Sequence, residues 1–384
     1  MSQTQVQEIS QVKLCAPRPE RCEKLVQAVI PGVHKFDWYS NGVSTDVVRP
    51  IKDVRLYQEG EGSFAYAVEK GTLAVEEGDG ISVHEYNHGS FNISYFLGHN
   101  LQSQLTYVEE RGGLTALVEF IKSDAMFPNS IREVGDELLI NAIAKYNPQS
   151  KEPLSFKGLN FQDSFERWVV QWQRAPYNSA KKHWRVFTSR DFVRQNNKIL
   201  CAGGAASLSR YWVQDILARA AEKRQDGEIE AATSMELMAK NILVCPNPRY
   251  SNALGMLELD PVPGRVFSID FGYSGVKRAE KDGGVSLRES AIAVPMSRIN
   301  LRDIREGSAF IQLKGGPLFD YLRKKGQPTE YIFGPAADST LGAEKVINNA
   351  KELYIPHAVL ASLGPDIDEV VPTQKKAKAG TVTL

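Results

Sequence analysis

Cations and flat aromatic rings alternate most densely between Glu166 and Lys198. The basic members are Arg167, Arg174, Lys181, Lys182, Arg185, Arg190, Arg194 and Lys198, and only Glu166 and Asp191 oppose them. Trp168, Trp172, Tyr177, Trp184, Phe187 and Phe192 are interleaved with these charges. Phosphates need cations and unstacked bases need flat apolar faces, so the mixture suits single-stranded RNA or DNA. On that reading Lys181, Lys182, Arg185, Arg190, Arg194 and Lys198 contact phosphates, while Trp184 and Phe187 stack on bases. The spacing also fits core aromatics beside a solvated cationic face.

His84-Glu85-Tyr86-Asn87-His88 has the HExxH spacing of zinc peptidases. There, two histidines on one helical face hold the metal and the glutamate activates its water. Here the run ISVHEYNH alternates and is bracketed by Gly80 and Gly89, which predicts a strand. On a strand His84, Tyr86 and His88 share a face and Glu85 points away from it. His99 and Glu109 are the conceivable third ligands. The expectation is no metal, with zinc on His84 and His88 as the alternative.

Three more fragments stand in a suggestive order. Gly60-Glu61-Gly62-Ser63-Phe64 comes first, Asn241-Ile242-Leu243-Val244 second, and Gly264 to Gly272 (GRVFSIDFG) third. They resemble the glycine-rich loop, the end of the catalytic loop and the DFG strand of a protein kinase. The resemblance implies ATP and magnesium, with Gly60 and Gly62 over the phosphates and Asn241 and Asp270 holding the metal. The sequence departs from that pattern in three places. Glu236 stands where the catalytic aspartate would fall, and the gap from Asn241 to Asp270 is longer than the usual hairpin. Lys70 is too close to the glycine loop, and the next lysine is Lys122. The run IDFGYSG also resembles the first phosphate loop of an actin-like ATPase. That loop opens its domain, whereas only about a third of this chain follows it, so length speaks against the resemblance. The P-loop, the dinucleotide fingerprint, the GxSxG elbow and a paired CxxC zinc site are all absent from the sequence.

The elements that must carry these residues suggest a mixed α+β fold. The 384 residues are 42% hydrophobic and 24% charged, enough for a buried core over two to three domains. Glycine-punctuated strands are expected at Val54–Tyr57, Phe64–Val68, Thr72–Val75, Ile81–Glu85, Phe91–Tyr95 and Leu105–Val108. Helical spacing marks Pro19–Val29, Leu114–Ile121, Ile131–Tyr146, Phe161–Trp172, a helix capped by Ser207, and Glu228–Lys240. Beyond these, strands are expected at Ile242–Cys245, Val266–Phe271, Ala291–Pro295 and Phe310–Leu313, and helices at Pro317–Lys325, Gly342–Leu353 and Ala358–Leu363. The resulting division is an antiparallel β-rich region to residue 113, a helical region 114–240, a mixed α/β region 241–372 and a flexible tail 373–384.

Net charge is zero, with 46 basic and 46 acidic side chains, so attraction to a polyanion must be local. Cys15, Cys22, Cys201 and Cys245 are too sparse for a disulfide scaffold, which suggests a reducing, cytoplasmic setting. No apolar run is long enough to span a membrane, and the N-terminal sequence lacks a secretory pattern. The leading expectation is a non-enzymatic, self-assembling subunit that binds single-stranded nucleic acid and needs no cofactor. The alternatives are a kinase-like phosphotransferase using ATP and magnesium, possibly degenerate in its catalytic residues, and a purely structural assembly protein.

Overall fold

The computed structural model describes residues 8–16, 18–40, 43–146, 152–183, 197–272, 276–281, 285–290, 292–295, 308–334, 337, 343–345, 359 and 364. The chain opens with β1 (Gln11–Ala16), α1 (Pro19–Val29), the hairpin β2 (Gly32–Ser40) and β3 (Val43–Ile51), and β4 (Val54–Gln58). Next come α2 (Glu61–Glu69), β5 (Gly80–Tyr86), β6 (Phe91–Leu97), β7 (Asn100–Leu101) and β8 (Tyr107–Glu109). The helical stretch holds α3 (Leu114–Ser123), α4 (Asp136–Lys145), the short ladder β9 (Ser155–Phe156) and β10 (Leu159–Asn160), and α5 (Gln162–His183). Then follow β11 (Lys198–Ala202), α6 (Ser209–Gln225), α7 (Ile229–Lys240), β12 (Ile242–Val244) and α8 (Ser251–Met256). The remainder comprises β13 (Val266–Phe271), β14 (Val276–Lys281), β15 (Val285–Ser290), β16 (Ile292–Pro295), β17 (Ala309–Gly315), α9 (Pro317–Lys325), β18 (Glu330–Phe333) and β19 (Ala343–Lys345).

These elements form two compact units. Unit 1 joins Met1–Tyr57 to Asp260–Leu384, and unit 2 is Gln58–Leu259. The boundaries therefore fall at 57/58 and 259/260 rather than at the changes in composition near residues 113 and 240.

Unit 1 contains a five-stranded sheet of order β15-β14-β13-β1-β4 and a six-stranded sheet of order β19-β16-β18-β17-β2-β3. β1 runs parallel to β13, while β13, β14 and β15 form an antiparallel meander. Every residue of β1 is buried, as expected of a strand covered on both faces. The core gathers Val12 and Leu14 of β1, Val26 of α1, Phe36 and Trp38 of β2, Ile311 of β17 and Leu318 and Leu322 of α9.

Unit 2 has one main sheet of order β12-β11-β5-β6-β7, with β8 also paired to β6. β12, β11 and β5 are parallel; β6 is antiparallel to β5, and β8 is antiparallel to β6. The alternation of β5 splits its side chains between two helical layers. His84 stacks on Trp212 of α6, with ring centroids 6.1 Å apart, and Glu85 faces α2 and α8. The helix α2 crosses α8 at Gly62 and Gly255. A Cβ on either glycine would strike the opposing backbone, so only glycine admits this approach.

The α+β class, α1, β13 and α9 stand as the sequence suggests. Several expectations need correction. Phe64–Val68 lies in a helix, because Gly60 takes a left-handed φ of 103° and Asn252 Oδ1 accepts from the Gly60 and Ser63 N–H groups at the start of α2. No strand forms over Thr72–Val75. The segment Gly342–Leu353 contains the strand β19, and its other residues lie outside those described, as does most of Ala358–Leu363. The strands β1, β2, β3, β14 and β15 were not expected. Among the described residues no helix is long and apolar enough to cross a membrane.

Candidate functional site

In an open sheet with parallel strands, ligands bind beyond the carboxyl ends of the strands, where the strand order changes direction. In unit 2 that place is the end of β5, flanked by parallel β11 on one side and antiparallel β6 on the other. The turn there is Asn87–Ser90, closed by the Asn87 N–H donating to Ser90 O at 3.1 Å. The start of α3 is tied to the same turn: the Leu114 and Thr115 N–H groups donate to Asn87 O and His88 O at 3.1 and 3.0 Å. Gly113 lies so close to the backbone at His88 and Gly89 that a side chain has no room.

A glycine pair follows β11 at the same end of the sheet. Gly203, at φ 83°, donates its N–H to Pro248 O at 2.9 Å, and a Cβ on it would sit 2.6 Å from Tyr86 O. Gly204 differs, because a Cβ there would meet nothing within 4 Å. The result is a backbone-lined floor of two turns with one side open. Such glycine turns let a phosphate approach N–H groups that a side chain would cover.

Buried acids back this floor. Glu59 accepts from Asn87 Nδ2 at 3.2 Å and Asn92 Nδ2 at 2.6 Å, and its carbonyl accepts from Ser94 Oγ at 2.7 Å. Glu85 accepts from Ser63 Oγ at 2.9 Å and Asn252 Nδ2 at 2.6 Å. Both glutamates are almost fully buried, so these donors are what make their placement tolerable.

Unit 1 presents a second acid at a hairpin. Asp270, the penultimate residue of β13, pairs with Lys277 Nζ at 2.8 Å and accepts from Cys15 Sγ at 3.4 Å. The two charged side chains are 4% and 8% exposed. Residues 273–275 of the turn lie outside the described residues.

The zinc arrangement is not met. His84 lies on a strand, and burial pushes its imidazole down to about 3, so it is neutral at pH 7. His88 sits in the turn, 3.1 Å from Glu137. Among the described residues no group of three or more His, Cys, Asp or Glu could hold a metal by itself. All four cysteines are buried and free, and burial pushes the thiols of Cys201 and Cys245 up to about 12, which argues against a thiolate nucleophile. The kinase arrangement fails as well. Gly60 and Gly62 begin a helix instead of a loop between strands, and Asn241 follows α7 and donates to Asn197 O at 3.2 Å. Asn241 and Asp270 belong to different units.

Where it is described, the basic, aromatic segment turns its tryptophans toward the protein and pairs its cations with acids. Trp172 is buried, with its indole N–H on Gly112 O and Gly113 O, and Trp168 donates to Asp124 at 2.8 Å. Arg174 pairs with Asp215, and Lys198 bonds Asp79 and Ala74 O. Burial favours protonation of Asp79, yet the Lys198 ammonium and the Glu76 N–H hold its carboxyl below the usual range. Lys181 and Lys182 fall in the last turn of α5, and Trp184, Arg185, Phe187, Arg190 and Arg194 lie outside the described residues.

No family model matches the chain, and no curated protein does. Solved structures do. An archaeal actin homologue, Ta0583, in complex with ADP is 11% identical, with a TM-score of 0.43, over 65% of this chain and 71% of its own. The actin-like protein Alp7A is 13% identical, with a TM-score of 0.44, over 65% and 66%. A 15-stranded ParM filament from Clostridium botulinum is 14% identical, with a TM-score of 0.44, over 65% of each chain. The inward packing of Trp168 and Trp172, and the pairing of Arg174 and Lys198 with Asp215 and Asp79, correct the expectation of a single-stranded nucleic-acid binder.

The signals missed in the sequence were short. Gly203-Gly204 follows an apolar run and precedes a helix, and Lys277 stands seven residues after Asp270, the reach of a tight hairpin. Glu59 carried no signal, because only the fold brings it to Asn87 and Asn92.

Proposed function

We propose that the protein binds a nucleoside triphosphate, ATP, and self-associates in response to it. The observation that carries the reading is the open backbone floor in unit 2, made by the Asn87–Ser90 turn and Gly203-Gly204 at the carboxyl ends of β5 and β11. The phosphates would lie against the turn, and the nucleoside would run over exposed Gly204. The hairpin of unit 1, with Asp270 and Lys277, has the residue types for the same chemistry, and its IDFGYSG run resembles an actin-like phosphate loop. Magnesium would enter on the phosphates and would neutralise their charge. A hard cation that keeps phosphate and water ligands needs no cage of protein groups. Buried Glu59, which accepts from Asn87 Nδ2, would fix the Asn87 side chain beside the bound phosphates.

Gly204→Leu tests the site, because open space at that Cβ lets the side chain enter without disturbing the core. The wild-type protein should gain thermal stability from ATP with magnesium, by about 2–3 kcal/mol at a hundredfold excess over Kd. Gly204→Leu should melt normally without ligand and lose that gain. An equal gain in both proteins would remove the nucleoside from Gly204. Light scattering that rises with ATP and magnesium tests the self-association; unchanged scattering at saturating nucleotide would reduce the protein to a monomeric nucleotide binder.

A further inference from the structure

The five-stranded sheet of unit 1 and the sheet of unit 2 are the same arrangement built twice. Each begins with an antiparallel meander, β13-β14-β15 in one and β5-β6-β8 in the other. Each then adds a strand parallel to the first strand of that meander, β1 beside β13 and β11 beside β5. A fifth strand closes each sheet, β4 next to β1 and β12 next to β11. A helical connection follows the fourth strand in both, α1 after β1 and α6 after β11.

The correspondence extends to single residues. The first hairpin is closed by the pair Phe271↔Val276 in unit 1 and Tyr86↔Phe91 in unit 2, with residues 272–275 and 87–90 between them. Both turns therefore have the same length. The penultimate residue of the first strand is a buried acid in both, Asp270 and Glu85, and it faces Lys277 and Asn92 across the hairpin. Chance similarity of two sheets does not ordinarily fix strand order, turn length and the place of a buried acid together.

The chain order differs. In unit 2 the meander precedes the two parallel strands, whereas in unit 1 the parallel strands come first and the meander follows some 200 residues later. We infer that unit 1 is a circularly permuted copy of the fold seen in unit 2: moving the segment after residue 262 ahead of residue 1 makes the two strand orders identical. The inference rests on strand pairing alone and is independent of any nucleotide. It also removes the objection that the IDFGYSG hairpin stands too late in the chain to open its domain. In the permuted order it is the first hairpin of that domain.

A rearranged full-length protein tests this. The chain is opened between Val262 and Pro263, in an exposed loop, which leaves Asp260 bonded to Arg55 and Tyr57. Its new order runs 263–384, then 1–262. An added flexible glycine–serine linker joins residue 384 to residue 1. A second protein is opened at exposed Gly227, between α6 and α7, which breaks the order in unit 2. The expected result is that the first protein melts within about 5 °C of the original and keeps slow amide exchange in β1 and β13. The protein opened at Gly227 should lose protection in β11 and β12. Tolerance at Gly227 with lost protection in β1 and β13 of the first protein would overturn the inference.

A turn exchange in the unrearranged chain covers the case in which neither rearrangement folds. Replacing residues 272–275 by the four residues 87–90 should leave protection of β13 and β14 intact, since the hairpins are equivalent. Loss of protection in both strands would overturn the inference by itself.

Discussion

At the scale of single residues, two buried groups set measurable properties. His84 is neutral in the folded protein because burial holds it at about 3, whereas an unfolded histidine titrates near ~6.5. Its folded value is lowered, so the unfolded state takes up a proton first. Its contribution to stability is therefore complete above about pH 6.5 and falls by ~1.4 kcal/mol per pH unit down to about pH 3. His84→Phe should flatten that slope in urea unfolding between pH 6.5 and 4.5, whatever it does to stability at pH 7. His34, also held low by burial against a partly opposing bond to Ile30 O, should leave a residual slope. An unchanged slope would mean that His84 is solvated in the folded state. The second group is the Asp270–Lys277 pair. Lys277→Met strands a buried carboxylate, and unfolding should show a loss of ~3–5 kcal/mol. Adding Asp270→Asn should restore part of it, because the two effects share one interaction.

At the scale of elements, the crossing of α2 and α8 is the most sensitive contact. Gly255→Ala places a methyl on the Gly62 backbone, and Gly62 cannot retreat because Asn252 and Ser63 fix the start of α2. The expected cost is more than ~2 kcal/mol, read as a lower urea midpoint at constant slope. A midpoint within error of wild type would mean that the helices can separate.

Legibility in the sequence followed how local each element is. α1 and α9 each start on a proline and run amphipathically, and β13 carries Val266, Phe267, Ile269 and Phe271 in a short stretch between glycines, so these are readable. The helix α2 was misread because Gly60 and Gly62 look like turn residues, while one serves a left-handed cap and the other a close crossing. The strands β1 and β14 were missed because Lys13, Lys277 and Arg278 are charged residues buried through partners that only the fold supplies. The aromatic stripe of α5 was visible, but whether a tryptophan faces solvent or Gly112 depends on which helix packs against it.

At the scale of the whole molecule, chain order hid the fold. Unit 1 is assembled from both ends of the sequence, so its parallel strands and its meander stand on either side of unit 2. A reading that follows composition along the chain places boundaries where helices begin to dominate, not where contacts cease. A hairpin can come late in the sequence and still be the first of its sheet, so position along the chain is a poor guide to place in the fold.

The most direct measurement of the central claim is equilibrium dialysis of labelled ATP against the wild-type protein with magnesium. ATP should bind saturably, be displaced by unlabelled ATP and not by single-stranded RNA or DNA, and fail to bind Gly204→Leu. Absence of saturable ATP binding by the folded protein would contradict it and leave a structural assembly protein as the remaining reading.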